Sequence, residues 1–225
     1  QSRLDPLFST LDFEVRGDFE YNKLSTADES EYGFVGRYFN MKVGGDLGAG
    51  FSYFLRQRII ANPGTSTLFD NTDFLYLDYR PSPHWRLRAG KDALFLGGYE
   101  YDASPIDIYF ESYLWDAIYC FQPAASVTHF FNDGQQSLSL QVGNSISVFS
   151  DVLSDNFGDE WRKGLLSYNL LWTGNFGVFS TLYSVNFFER ERGYFMNTIA
   201  LGNKLTFDNW SLYVDFIHLA LGTDD

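Results

Sequence analysis

The stretch LDFEVRGDFEYN, residues 11–22, alternates between apolar and polar side chains with one interruption at Gly17. Successive side chains of a β-strand point to opposite faces of a sheet, so this stretch predicts a strand with one apolar and one densely charged face. Two environments suit such a strand. In a soluble sandwich the apolar face packs on a second sheet, whereas in an outer-membrane barrel it faces lipid and the charges line a lumen.

The composition excludes several classes of protein. Aromatic residues make up 19% of the 225 residues, yet charged residues make up 20% and the mean hydropathy is −0.20, which excludes a bundle of transmembrane helices. A barrel fits, because only alternate residues of its strands need to be apolar. The net charge of −13 argues against a nucleic-acid partner, since phosphate contacts need a basic surface. The single cysteine, Cys120, excludes a disulfide framework.

Residue parity and turn residues predict eleven strands. Most are longer than the ~5–6 residues typical of soluble strands and close to the ~9–11 that cross a membrane at a tilt. Their connections alternate between long and short, with short turns at GGDLG, PSP, NDGQ, TGNFG and FDN and a medium one at ERERG. Barrels with short periplasmic turns and long extracellular loops alternate in this way. The predicted strands are 11–23, 33–43, 47–58, 73–80, 84–91, 120–131, 136–147, 163–173, 177–188, 194–207 and 210–221.

Three tryptophans support the membrane interpretation. Trp85, Trp172 and Trp210 each lie within a few residues of a predicted short turn and share parity with apolar neighbours. This predicts an aromatic girdle at one membrane boundary. The alternative is that three buried tryptophans lie near strand ends by coincidence. With the order of the connections, the pattern favours an all-β fold, a transmembrane antiparallel β-barrel forming a single domain over residues 1–225.

Residues 84–115, HWRLRAGKDALFLGGYEYDASPIDIYFESYLW, join a strand ending in RAGK to a long aromatic and acidic segment. WRLRAGK and the following GGYE resemble the phosphate-selective porin O and P family, found in outer membranes of Gram-negative bacteria including the Bacteroidetes. The chain reads DALFLGG where a PFG-like turn often follows the strand in that family. Membership implies a 16-stranded, homotrimeric porin whose third extracellular loop folds into the lumen, and residues 93–118 stand in that position.

The predicted number of strands is odd, whereas bacterial single-chain barrels close with an even number. An open edge with unpaired backbone groups is not viable in hydrocarbon. We therefore expect the eleven strands to be part of a 16-stranded barrel, with the other strands supplied after residue 225 or by another chain.

Within the long loop, Ser104, Pro105 and Asp107 favour a helix start, with Ser as the cap and Asp complementing the dipole. A helix over about 105–115 places Asp107 and Glu111 on one face, four residues apart. These acids are candidates for the pore constriction. Alternatively, they belong to a surface loop and face open water.

Charged residues on the polar parity of several strands are candidates for lining a pore. The basic candidates are Arg56, Arg58, Arg80, Arg86 and Arg88, and the acidic ones are Asp12, Glu14, Asp18, Glu20 and Asp78. Basic and acidic walls side by side would create a transverse field that orients solutes and sets ion selectivity. The alternative is that these charges pair with one another inside a wet barrel. The anion selectivity of the family does not simply transfer, since the chain is acidic and its long loop has only Lys91, at its edge.

The sequence offers little for catalysis or metal binding. His84, His129 and His218 are scattered without metal-ligand spacing, and no nucleophile motif is present. The acids of one loop suit Ca²⁺ chemically but lack an EF-hand spacing, so a solvated loop is the better interpretation. These acids are Asp151, Asp155, Asp159 and Glu160.

We therefore expect a non-enzymatic porin of the bacterial outer membrane that passes small hydrophilic or charged solutes by diffusion and needs no cofactor. Its expected partners are outer-membrane lipid and lipopolysaccharide, two further copies of itself and other outer-membrane subunits. One alternative is a plugged barrel that serves as a structural or docking subunit of a larger complex. Another is a soluble β-sandwich that binds a ligand.

Overall fold

A computed structural model describes residues 8–23, 30–59, 71–104, 108, 112, 120–145 and 164–220. These residues form eleven β-strands and one short helix, and each strand pairs antiparallel with its neighbours in sequence to give a single sheet. The all-β antiparallel prediction is confirmed, while closure of the sheet into a barrel stays a prediction. None of the described helical residues belongs to a helix long and apolar enough to cross a membrane. The elements are β1 (Thr10–Lys23), β2 (Ser30–Gly48), β3 (Phe51–Arg58), β4 (Thr72–Ser82), β5 (Trp85–Ala93), α1 (Tyr99–Asp102), β6 (Phe121–Phe131), β7 (Gln136–Asn144), β8 (Leu166–Phe176), β9 (Phe179–Glu191), β10 (Tyr194–Phe207) and β11 (Trp210–Ala220).

Two turns lie at positions that differ from the predicted ones. GGDLG belongs to β2, because its first two glycines pair with residues of β3. The chain reverses instead at Ala49 and Gly50, whose φ angles are 53° and 84°. Leu47 therefore lies in β2 and not in β3. Similarly, most of TGNFG lies in β8, and the chain reverses at Gly177 and Val178.

The connections alternate in length along most of the sheet. The turns after β2, β4, β6, β8 and β10 are tight and lie at one end of the meander, which we call the short-turn end. The connections after β1, β3, β5 and β7 are longer and lie at the other end. The connection after β9 breaks the pattern, since Arg192 and Gly193 form a tight turn where ERERG predicted a medium one.

The two faces of the sheet are buried in the opposite sense to those of a soluble protein. Large apolar side chains are exposed on one face, among them Phe34 at 90% and Val15 at 71%. On the other face, Asn186 and Thr198 are fully buried. We call these the apolar face and the polar face. Soluble domains bury apolar side chains, so a continuous exposed apolar face indicates contact with an apolar surface or medium.

The sheet curves toward its polar face. Arg16 of β1 donates a hydrogen bond to the carbonyl oxygen of Ile108 at 2.7 Å, and the backbone N–H of Glu100 donates to Oδ2 of Asp215 in β11 at 2.9 Å. The chain between these two contacts, with the two side chains, reaches at most about 40 Å. In a flat sheet β1 and β11 would lie about 48 Å apart, ten intervals of about 4.8 Å. The outer strands are therefore drawn toward each other across the polar face.

Gly90 in β5 provides a test of how closely β5 lies against β4. Its φ angle is 140°, and a Cβ there would overlap the backbone of Leu75 and Tyr76 in β4. We expect Gly90→Ala to lower the free energy of unfolding by about 2–4 kcal/mol through backbone strain and overpacking, measured by guanidinium unfolding in detergent. Gly36→Ala is the control, because nothing lies within 4 Å of its Cβ position, and we expect a change within about 0.5 kcal/mol. Equal losses in the two variants would contradict the strained geometry.

Candidate functional site

The polar face divides into a charged part and a neutral part. On β3, β4 and β5, its buried polar residues include Arg56, Asp73, Asp78 and Asp92. On β7 to β10 they are amides and hydroxyls. These are Ser137, Ser139, Gln141, Ser167, Asn169, Ser184, Asn186 and Thr198. Buried charges need counter-ions and buried amides need hydrogen-bond partners, so the two parts are stabilised differently.

Residues 93–102, which we call the crossing segment, leave the end of β5 and cross the neutral part. The N–H of Phe95 donates to Oε1 of Gln141 on β7 at 2.9 Å, and its carbonyl accepts from Nδ2 of Asn186 on β9 at 2.7 Å. The N–H of Gly97 donates to Oγ of Ser184 on β9 at 2.7 Å. The neutral side chains of the sheet thus act as partners for the backbone of the crossing segment.

The crossing segment approaches the sheet so closely that glycine is required on both sides. A Cβ on Gly97 would lie 2.7 Å from the carbonyl oxygen of Leu182 in β9. A Cβ on Gly202 in β10 would lie 2.8 Å from Cα of Gly98. Such distances to backbone atoms leave no room for a side chain, so the segment lies flat on the sheet.

Apolar packing accompanies the hydrogen bonds. Leu94 and Leu96 of the crossing segment form a buried cluster with Phe188 of β9 and Met196 of β10. This cluster joins the crossing segment to β9 and β10, whereas the hydrogen bonds above join it to β7 and β9. The segment is therefore held by burial of apolar surface as well as by hydrogen bonds.

Tyr101 and Cys120 pack against this cluster at the two ends of the long loop. Burial raises the pKa of the Tyr101 hydroxyl, which lies within hydrogen-bonding reach of the Cys120 thiol. Burial likewise raises the pKa of Cys120, despite an opposing contribution from its hydrogen bond with Tyr101. Both groups are therefore protonated at neutral pH. Cys120 was predicted as the first residue of a strand, but it lies just before β6.

In the charged part, one carboxylate bridges two arginines. Oδ2 of Asp73 accepts from Nε of Arg56 at 2.9 Å, and Oδ1 accepts from Nε of Arg58 at 2.9 Å. The Arg56 guanidinium also lies over the rings of Phe74 and Phe121, at 4.6 and 5.1 Å from their centroids. Asp73 reaches both arginines because the pairing of β3 with β4 shifts register between Arg56 and the next residue.

Arg88 is held by two carboxylates and a ring. It forms a bidentate pair with Asp78, with distances of 2.6 and 2.8 Å, and a second ion pair with Asp92 at 3.0 Å. Its guanidinium lies 3.6 Å from the ring centroid of Tyr76. This geometry fixes the guanidinium and offsets its charge.

Arg80 and Arg86 differ from the other three predicted arginines. In the described part of the chain, neither has a carboxylate within 4.0 Å. In the described residues, Arg86 donates a 3.4 Å hydrogen bond to Thr128, and its guanidinium lies 5.5 Å from the ring centroid of Phe130. Arg80 lines an open pocket of about 420 Å³ at the short-turn end of the polar face, with His84, Phe130 and Asp133 also in its lining. These two arginines are the candidates for interaction with a mobile solute.

The acidic residues of β1 carry their own counter-ions on β1 and β2. The pairs are Arg16–Asp18, Arg37–Asp18, Arg37–Glu20 and Lys42–Glu14. Asp12 is exposed on the same strand. Most of the predicted charged residues are therefore paired locally, and in the described residues only Asp12, Arg80 and Arg86 among them are not in an ion pair. Whether these residues line a pore stays a prediction.

The model of the phosphate-selective porin O and P family matches residues 10–164, more than half of the chain. The chain belongs to this family. The resemblance inferred from WRLRAGK and GGYE is thereby confirmed. The match runs from the first residue of β1 to the connection after β7, so it includes the charged part and the crossing segment of this porin. No curated protein matches the chain.

The three described tryptophans of this porin lie near the short-turn end, on the apolar face. Trp85 and Trp210 are the first residues of β5 and β11 and are exposed. Trp172 lies within β8 and packs edge-on against Tyr183 at 5.5 Å. Further ring pairs occur at the same end, such as Phe207 with Trp210 at 5.1 Å. The girdle itself stays a prediction.

Several predicted residues lie outside the described part of this porin. Asp107 and Glu111 are among them, as are the four acids of the candidate Ca²⁺ loop. Of the region predicted as a helix over 105–115, only Ile108 and Ser112 are described, and neither is helical. The short helix α1 lies earlier in the loop. Within the described ranges, no group of three or more His, Cys, Asp or Glu residues is placed to hold a metal ion.

Sequence reasoning missed the residues that hold the crossing segment. Gln141, Asn169, Ser184 and Asn186 looked like ordinary polar positions of alternating strands, and Asp215 had no motif around it. One signal was available, because residues 164–188 carry no charge. A polar face without charges suits contact with a neutral polypeptide backbone better than contact with an ionic solution.

Asp73 provides a test of the charged part. Asp73→Asn removes the shared counter-ion of Arg56 and Arg58, and we expect a loss of about 3–5 kcal/mol in the free energy of unfolding, because a buried charge is left uncompensated. Glu20→Gln is the control, since Glu20 pairs with a half-exposed Arg37 and such pairs contribute about 0–1 kcal/mol. Chemical unfolding in detergent measures both. A loss below 1 kcal/mol for Asp73→Asn would contradict the bridging role.

Proposed function

We propose that this protein is an outer-membrane porin through which small hydrophilic or charged solutes diffuse passively. The observation that carries the proposal is the inverted burial of a sheet from a porin family, with apolar side chains exposed on one face and polar ones enclosed on the other. The family consists of non-enzymatic channels, in keeping with the absence of a nucleophile motif from the sequence.

The apolar face suits contact with lipid. Its exposed residues come from strands at both sides of the sheet, such as Phe13 and Val15 of β1 and Leu212 and Phe216 of β11. Tryptophans and other rings near the short-turn end suit a membrane–water boundary. The proposal places the protein in the bacterial outer membrane, in contact with lipid and lipopolysaccharide and assembled as a homotrimer.

The route for solutes lies along the charged part. The crossing segment covers β7 to β10, so the side chains of β1 to β5 border the space that remains on the polar face. Most charges there are paired, and Arg80 and Arg86 supply positive charge without a carboxylate partner in the described residues. We therefore infer a local preference for anions near the short-turn end, despite the acidic net charge of the chain.

Ion selectivity in planar lipid bilayers tests the proposal. We expect Arg80→Gln combined with Arg86→Gln to raise the cation-to-anion permeability ratio, measured from the reversal potential in a KCl gradient, by roughly twofold or more. One unit charge at about 4 Å is worth ~1 kcal/mol even in water. Glu14→Gln combined with Lys42→Gln is the control, because it removes an ion pair and leaves the net charge unchanged. We expect no shift from this pair.

Two results would contradict the proposal. An unchanged reversal potential in the arginine variant would show that Arg80 and Arg86 do not produce a preference for anions. A wild-type protein with no stable open current would remove the porin function and favour a plugged docking subunit.

The orientation of the sheet in lipid has its own test. Val15 lies on the apolar face and is 71% exposed. We expect Val15→Lys to lower stability in lipid vesicles by about 2–4 kcal/mol if the residue lies near the bilayer midplane. Ser52→Lys is the control, because Ser52 pairs with Asp46 and Asp78 on the polar face, where a cation has carboxylate neighbours. Equal losses would show that the apolar face does not contact lipid.

A further inference from the structure

Three amides on neighbouring strands form a continuous relay beneath the crossing segment. Gln141 lies on β7, Asn169 on β8 and Asn186 on β9, and each is at most 2% exposed. Nδ2 of Asn169 donates to Oε1 of Gln141 at 3.1 Å, and Nδ2 of Asn186 donates to Oδ1 of Asn169 at 2.8 Å. The relay therefore spans three strands without a gap.

The relay binds the backbone of the crossing segment at Ala93 and at both the N–H and the carbonyl group of Phe95. Gln141 accepts from the N–H of Phe95 and donates from Nε2 to the carbonyl oxygen of Ala93 at 3.0 Å. Asn186 donates to the carbonyl oxygen of Phe95. Both backbone groups of Phe95 are thereby satisfied by side chains of the sheet. These hydrogen bonds take the place of those that a neighbouring strand would provide, because the segment is extended but is not paired in the sheet.

Ser184 extends the relay to Gly97. Its hydroxyl donates to Oδ1 of Asn186 at 2.7 Å and accepts from the N–H of Gly97. Each amide depends on the orientation of the next, because reversing one would place two donors or two acceptors face to face. Such buried networks fix a unique arrangement when every member is satisfied.

We propose that Gln141, Asn169 and Asn186, with Ser184, are positioning residues that fix residues 93–97 as a permanent part of the pore wall. The segment then narrows the pore statically and does not act as a gate. A gate would have to break the relay, expose Leu94 and Leu96, and separate Gly97 from the backbone of β9 at the same time. The consequence for conduction rests on the proposed porin function, whereas the anchoring itself does not.

Hydrogen–deuterium exchange of the folded protein in detergent tests the anchoring without requiring conduction. Ser184→Ala removes the acceptor of the Gly97 N–H, and Asn186→Ala removes the donor to Phe95. We expect amide exchange in residues 94–98 to accelerate by about tenfold or more in both variants, with β5 and β6 unchanged. Ser139→Ala is the matched control, because Ser139 is as buried as Ser184, at 3% exposure, but its hydroxyl bonds to Thr128 and not to the segment.

Unchanged exchange in both Ser184→Ala and Asn186→Ala would overturn the anchoring, as would equal acceleration in Ser139→Ala. Ser184→Ala removes only a hydroxyl group, so it keeps the test decisive if Asn186→Ala fails to fold.

Single-channel recording in planar lipid bilayers tests what the anchoring does. We expect one conductance level in the wild type and in Ser139→Ala, and fluctuation among several levels in Asn186→Ala. Accelerated amide exchange in Asn186→Ala with a single, unchanged conductance level would support the anchoring of the segment but would overturn its role in setting the pore width. A wild-type protein that conducts nothing would overturn the porin function, while the exchange data would still decide the anchor.

Discussion

Every polar group enclosed by this sheet must find its partner on the same side of the sheet. The opposite face is mainly apolar and offers few donors or acceptors, and the strands alternate between the two faces except at a few register shifts. A buried group without a partner costs about 1–3 kcal/mol, and an unpaired buried charge costs more. The rest of the structure therefore depends on the pairing of polar groups, by hydrogen bonds and ion pairs, across the polar face.

The chain meets most of this requirement in two ways, although a few buried atoms, such as Oγ1 of Thr198, have no hydrogen-bond partner in the described residues. On β1 to β5, charges are matched across neighbouring strands, as in the bidentate pair of Arg88 with Asp78. On β7 to β10, neutral amides and hydroxyls are matched with the backbone of the crossing segment. The two solutions leave different surfaces. Ion pairs leave a polar wall that water and solutes can approach, whereas the amides are covered. In the proposed porin, the permeable space is therefore displaced toward the charged strands.

Much of the fold follows from the sequence because the two-residue period is unambiguous in strands such as 11–22, and the strands occur where parity predicts them. The turn after β2 is different. Several glycines between residues 44 and 50 suit a reversal equally well, and cross-strand pairing selects Ala49 and Gly50. The site is predictable only in part. Arginines and acids on the polar parity could be named, but their pairing depends on register, and the bridging position of Asp73 depends on an irregularity that no local pattern marks. Gln141, Asn169 and Asn186 become a unit only when three strands align.

The position of the crossing segment along the chain has a consequence for the order of folding. Phe95 is separated by 46 residues from Gln141 and by 91 from Asn186, and Glu100 is separated by 115 from Asp215. Contacts of such sequence separation form late, because the loop that closes them is costly until neighbouring strands have paired. Residues 93–102 emerge before any of their anchors exist, and they dock after β9 has joined the sheet. If the segment narrows a pore as proposed, that narrowing is one of the last steps of assembly, made after the strands of the wall have paired.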